Sequence, residues 1–240
     1  MTKKTTNSYI FTPNFDQKKR KISQIKFLIF HYTGMISEKK AIKKLCTHNT
    51  KVSCHYFIKR SGNIIKMLPE LYVAWHAGKS NWKNFSNLNK HSIGIEIHNP
   101  GHQYGYETFS SKQLNSIVYI SKKIIKNFKI ENKFILGHSD IAPDRKKDPG
   151  EKFPWHYLQK NKIGIWHNLN KKKLLKLRGK TISDKEKNNS IKLLRKIGYK
   201  INSKTNSIKA FQRRFRQEQI DGIADKECVE IIKNIAPYFV

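Results

Sequence analysis

The sequence predicts an α/β fold: a mixed central β-sheet flanked by helices, followed by a small three-helix unit at the C-terminus. Three observations lead there. Two nearly continuous apolar runs of strand length, Ile25 to His31 (IKFLIFH) and Ser92 to His98 (SIGIEIH), match strands covered on both faces. Helical patterns and one hairpin alternate with them, as in a sheet with helices packed on it. The apolar pattern then lapses between 168 and 189 and returns as three short helical stripes.

In chain order, residues 1–8 read as a flexible tail, and the first buried strand ends at His31. Glu38 to Cys46 carries helical spacing. CHYFIK, RSGN and IIKML read as a hairpin turning at Arg60 to Asn63. The second buried strand carries a carboxylate, Glu96, in its middle. From Ser111 to Phe128, the spacing of Leu114, Ile117, Val118, Ile120, Ile124 and Ile125 predicts an amphipathic helix with a basic outer face. Phe134 to Gly137 is a short strand that enters a polar loop reaching Trp155. Charged residues poor in bulky side chains then read as a linker. Beyond it, Ile191, Leu193, Leu194 and Ile197 form a helix stopped by Gly198. Ile208, Phe211 and Phe215 stripe a second helix, Asp221-Gly222 marks a turn, and Val229, Ile231, Ile232 and Ile235 belong to a third. A unit of this size stands near the lower limit for folding alone.

Composition narrows the function classes. Hydrophobic residues at 38% and aromatics at 11% suffice for a packed core and exclude a disordered chain. The formal charge of +32 attracts polyanions, whether nucleic acid, anionic lipid or acidic wall polymer. Yet only eight of the 49 basic residues are Arg, the residue suited to bidentate phosphate and base contacts, and Lys-rich composition alone accounts for much of the charge. No C2H2 spacing, RNP-like aromatic motif or helix-turn-helix accompanies it, so specific nucleic-acid binding is not expected. Three cysteines without a CxxC pair argue against a disulfide framework; Cys46 and Cys54 could pair if the fold brings them together, but free thiols are the expectation. No apolar run is long enough for a transmembrane segment, and no Sec signal peptide is expected.

Three candidate metal ligands, His31, His138 and Asp148, sit at strand ends or in the loop that follows. A catalytic zinc takes three N, O or S ligands and keeps a position for water, and two imidazoles with one carboxylate leave it the positive charge to polarise a carbonyl. A lone His at a strand end is more often structural. Glu96 lies in an apolar strand, where an unpaired charge is costly. Either its side chain reaches solvent or a lysine, or it serves as a general base beside a metal. Lys146, two residues before Asp148, is placed to reach the same cavity and stabilise an oxyanion, although Arg145, Lys146 and Lys147 also read as a solvated run.

The blocks FLIFHYTG, VSCHYFIKRSGNI, AWHAGKSNW, NKHSIGIEIHNP and GHSDIAPDRKKDPGEKFPW resemble, in order, the signatures of the type-2 N-acetylmuramoyl-L-alanine amidases. That zinc amidase family shares its fold with peptidoglycan recognition proteins. The last block is the most specific, since the ten-residue spacing from His138 to Asp148 is kept. The resemblance implies that His31, His138 and Asp148 hold one Zn2+ per chain, that Glu96 is the catalytic acid–base residue, and that Lys146 stabilises the transition state. It places His55, Trp75 and His76 along the substrate cleft. Non-catalytic receptors of this fold typically lack a zinc ligand, and none is missing here.

The C-terminal stripe separately resembles the peptidoglycan-binding domain type 1, through Leu194, Gly198-Tyr199, Ile208, Phe211-Gln212, Phe215, Asp221-Gly222-Ile223 and Ala224-Asp225. It departs at Lys226, Glu227 and Cys228, where family members often have Thr. The implied organisation is a catalytic domain at 9–168, a linker at 169–189 and a peptidoglycan-binding domain at 190–240. The implied reaction is hydrolysis of the amide between N-acetylmuramic acid, or its 1,6-anhydro form, and L-alanine of the stem peptide. Peptidoglycan or muropeptides are the expected partners, a monomer the expected state, and cytoplasm and cell envelope both remain open as compartments.

Overall fold

Six strands form the central sheet of the computed structural model, which describes residues 8–239. In chain order the elements are β1 (Ser8–Tyr9), β2 (Phe15–Asp16), β3 (Phe27–Tyr32), α1 (Glu38–Cys46), β4 (Tyr56–Ile58), β5 (Ile64–Lys66), β6 (Val73–Ala74), β7 (Asn81–Trp82), β8 (Phe85–Ser86), β9 (Ser92–Ile97), α2 (Ser111–Phe128), β10 (Ile135–Gly137), α3 (His138–Ile141), α4 (Trp155–Lys160), α5 (Lys171–Leu175), α6 (Asp184–Ile197), α7 (Lys204–Phe215) and α8 (Lys226–Ile235). The sheet order is β1-β5-β4-β9-β3-β10. Only the β4–β5 hairpin is antiparallel, so the sheet is mixed, as the sequence predicts. Of the expected tail, residues 1–7 lie outside the described residues, while Ser8 opens the edge strand β1.

Alternation along β3 and β9 decides what each face of the sheet carries. Leu28 and Phe30, with Ile93, Ile95 and Ile97, pack with Ile117, Ile120 and Ile124 of α2. Each such isoleucine contributes about 1.5–3 kcal/mol by leaving water. A capping box starts α2: Ser110 Oγ accepts from Gln113 N–H, and Gln113 Oε1 accepts from Ser110 N–H. Phe27 and Ile29 point to the opposite face, where they join Trp82, Leu136, Leu194, Phe211 and Phe215 in one core. The three C-terminal helices therefore cover the lower part of that second face. His31 continues its polar, upper end.

The span 169–189 is more structured than a linker. It contains α5, whose Leu174 is buried, and the first turn of α6, which begins at Asp184. Ser183 and Glu186 form a capping box there. Arg178 donates two hydrogen bonds to the Glu227 carboxylate of α8. No helix among the described residues is long and apolar enough to cross a membrane.

Candidate active site

The site lies at the C-terminal ends of three adjacent parallel strands, the place where open α/β sheets receive ligands. β3 pairs with β9 in a register that sets His31 beside Glu96 on the same face. β10 pairs with β3 on the other side and ends at Gly137, so His138, the first residue of α3, emerges next to His31. Asp148 returns from the following loop, held where its carbonyl accepts Ser139 N–H at 2.8 Å. All three candidate ligands are buried.

His31 Nδ1 and His138 Nδ1 stand 2.9 Å apart, and Asp148 Oδ2 is 3.0 Å from each. The hydrogen bonds behind the rings assign their protons. Ser92 Oγ must donate to the Leu88 carbonyl (2.6 Å), so it accepts from His76 Nε2–H (3.1 Å). His76 Nδ1 then accepts from His31 Nε2–H at 2.9 Å, which leaves His31 Nδ1 a bare lone pair. On the other ring, His138 Nε2–H donates to the Ala77 carbonyl at 3.0 Å, leaving its Nδ1 bare as well. Residues 76–77 thus orient both imidazoles, and the Asn89 side-chain oxygen fixes them by accepting both backbone N–H groups. Gly94 makes this possible, since any side chain there would collide with the His76 ring.

Three electron-donating atoms facing one another with no proton between them repel. A cation between them reverses the sign: tetrahedral ligands at about 2.0–2.2 Å from one ion stand roughly 3.3–3.6 Å apart, so donors now 2.9–3.0 Å apart need spread only a few tenths of an ångström to share it. The donor set therefore fits zinc. Burial, then the neighbouring His138, push His31 down to about 4, so its imidazole is neutral at pH 7.

His138 and Asp148 border an open cavity of about 530 Å³ lined also by Glu96, Lys146, Trp75 and Tyr32. Burial, then the Asp148 charge, raise Glu96 well above the usual carboxylate range. Its Oε2 is buried and has no hydrogen-bond partner among the described residues. Lys146 reaches the same cavity, while its neighbour Arg145 donates to the Ala77 and Lys79 carbonyls and braces the loop beneath His138. Trp75 lines the wall, its indole N–H bonded to Asp16 at 2.7 Å. His76 shows an edge to the cavity but spends both nitrogens on the proton chain just described.

His55 is not brought to the cleft. It is fully buried against the His76 ring, where its Nδ1 accepts from Gly94 N–H and its Nε2–H donates to the Tyr72 carbonyl. Another wall was missed by sequence reasoning. Tyr32 hydroxyl donates to His102 Nδ1 (2.8 Å), and His102 Nε2–H donates to Glu151 (3.0 Å), with Tyr106 stacked on His102 at 4.5 Å. Their only sequence signal is position, since Tyr32 and His102 fall at or just past the ends of the two buried strands.

A cation-accepting pocket beside an unpartnered carboxyl and a lysine, at the C-terminal ends of parallel strands, has the parts that metal-assisted hydrolysis needs. The chain belongs to the N-acetylmuramoyl-L-alanine amidase family (Amidase_2), which matches residues 21–151. The amidase AmiD of Escherichia coli (strain K12) is 32% identical over 223 residues, which cover 85% of this chain and 79% of that one. A solved E. coli AmiD complex with anhydro-N-acetylmuramic acid-L-Ala-D-γ-Glu-L-Lys has a TM-score of 0.80 at 30% identity, covering 93% of both chains. AmpDh3 from Pseudomonas aeruginosa, solved in complex with anhydromuramic pentapeptide, has a TM-score of 0.78 at 28% identity and covers 93% of this chain and 95% of its own.

Proposed function

We propose that the chain uses zinc to hydrolyse the amide between the lactyl carbonyl of N-acetylmuramic acid, or of its 1,6-anhydro form, and L-alanine of the stem peptide. His31 Nδ1, His138 Nδ1 and Asp148 Oδ2 would hold one zinc per chain. Zinc bound there supplies Lewis acidity toward water and an amide carbonyl. Glu96 takes a proton from the attacking water and returns it to the alanine nitrogen as the C–N bond breaks. Its raised proton affinity suits a group that must both accept and release a proton. The Lys146 ammonium enters the same cavity and stabilises the oxyanion that develops on the carbonyl. Trp75 and Tyr32 offer apolar walls for sugar and peptide.

The observation that carries this reading is the convergence of three proton-free donor atoms beside an unpartnered carboxyl oxygen. Two relatives of the same fold were solved with anhydromuramyl peptides, which supports the anhydro form as a substrate. Residues 190–240 are proposed as a peptidoglycan-binding domain on their sequence resemblance. The test is a digest of anhydro-muropeptides and of intact sacculi followed by mass spectrometry. Intact stem peptides with a free L-alanine amine should appear in zinc-loaded samples and vanish on chelation. Glycan cleavage or endopeptide products in place of them would overturn the reading.

A further inference from the structure

The loop bearing His138, Lys146 and Asp148 is held along its length by side chains from the C-terminal helical unit. Near its start, Asp140 Oδ1 accepts from the Tyr199 hydroxyl at 2.7 Å, and Oδ2 accepts from Arg214 Nη1 at 2.7 Å and from Gly137 N–H at 2.8 Å. Arg214 also donates to the Ile135 carbonyl at 3.0 Å and lies over the Trp155 ring at 4.3 Å. The Asp140 and Arg214 side chains are each only 1% exposed. In the middle of the loop, Asn202 and Asn206 donate to the two oxygens of Asp144, each at 3.1 Å. Toward its end, Gln217 donates to the Phe153 carbonyl at 2.7 Å, and Arg213 faces Glu151 at 4.0 Å. Glu151 in turn anchors His102 and, through it, Tyr32 on the cavity wall.

Within the loop Asp140 meets only the Gly137 N–H, and its other partners come from the C-terminal helices. α3 is a single four-residue turn, too short to hold itself in a helix. Asp140 lies two residues after His138 within that turn, so whatever fixes Asp140 aims His138. A buried ion pair adds little net stability over apolar packing of equal volume, but it admits one geometry. We infer that the C-terminal unit is a positioning element of the catalytic centre: Tyr199 and Arg214, through Asp140, hold His138 in place against His31 and Asp148. Neither residue touches a ligand atom. A unit whose sequence suggests a detachable wall anchor is thereby built into the site. The inference rests on the zinc reading of the triad.

The test uses the full chain. Metal-free wild type, Arg214→Met, Tyr199→Phe and Arg178→Met are titrated with zinc alone against a competing chelator, and kcat and KM are measured on soluble anhydro-muropeptide. Arg214→Met should weaken zinc binding roughly 10- to 100-fold, the range for groups that orient a metal-binding histidine. Tyr199→Phe, which loses one hydroxyl, should weaken it less. In both, kcat should fall more than KM changes. Arg178→Met breaks the pair that ties the 169–189 span to Glu227 of α8, so it should lower the melting temperature and leave zinc affinity at the wild-type value. Wild-type affinity in both Tyr199→Phe and Arg214→Met overturns the inference, and so does equal weakening in Arg178→Met. If Arg214→Met does not fold, Tyr199→Phe decides alone. Wild-type protein that takes up no zinc would instead contradict the zinc reading, and the first titration shows it.

Discussion

Asp140 and Asp148 lie on one loop, both buried, and their surroundings are opposite. Asp140 meets three donors, from Gly137, Tyr199 and Arg214. Asp148 meets two imidazole nitrogens whose protons have been drawn to their far sides. The first carboxylate is satisfied by the protein and fixes the fold. The second is satisfied only when something positive arrives. Burial alone does not separate a structural acid from a functional one; the balance of donors and acceptors around it does.

The sharpest way to break that comparison is to remove each carboxylate in turn. Asp148→Ala should abolish zinc uptake and turnover, and the metal-free protein should lose little stability because mutual repulsion among the three donors is relieved. Asp140→Ala should do the reverse to the fold, costing about 3–5 kcal/mol by stranding the buried Arg214 charge. Elemental analysis and denaturant unfolding read the two effects. Matching losses of stability in both variants would erase the distinction.

Within the cavity, Glu96→Gln keeps shape and cannot accept a proton, so turnover should fall about 10²–10⁴-fold with zinc content unchanged. Lys146→Ala should cost about 10²-fold. Steady-state kinetics on zinc-loaded protein check both, and near-normal turnover in Glu96→Gln would assign the base elsewhere.

The buried structural histidine gives a test that needs no metal. Burial, then the Arg20 charge, push His55 from 6.5 down to about 3. Between those values the unfolded chain binds a proton that the folded chain refuses. This contribution to stability is therefore complete above pH 6.5 and is lost as pH falls toward 3, by about 1.4 kcal/mol for each pH unit. Unfolding of metal-free protein followed across that window should show a shallower slope in His55→Gln. The smallest effect belongs to Ser92→Ala. It releases the end of the proton chain to His31 and should weaken zinc binding by about tenfold, at the low end for such support.

Much of this was legible in the sequence, and the reasons differ by residue. His31 and Glu96 end or interrupt unbroken apolar runs, and a period of two assigns them to one face once the strands pair. The start of α6 was missed: Ser183 and Glu186 have the spacing of a capping box, but the charged composition around them reads as linker. Two-residue strands such as β6 and β7 carry no periodicity to detect. The Asp140–Arg214 pair spans 74 residues of chain, and no local pattern announces which buried Arg meets which acid. His55 shows the limit from the other side: its block pointed to the cleft, but its ring is buried against His76, with the two ring centroids 5.8 Å apart.

The most direct measurement is a zinc titration of the chelated, metal-free protein, following release of stem peptide from anhydro-muropeptide at each addition. Activity should begin at zero, rise in proportion to added zinc, and stop rising at one equivalent per chain. Full activity before any zinc is added, with elemental analysis showing none present, would contradict the assignment of His31, His138 and Asp148 as a working metal site.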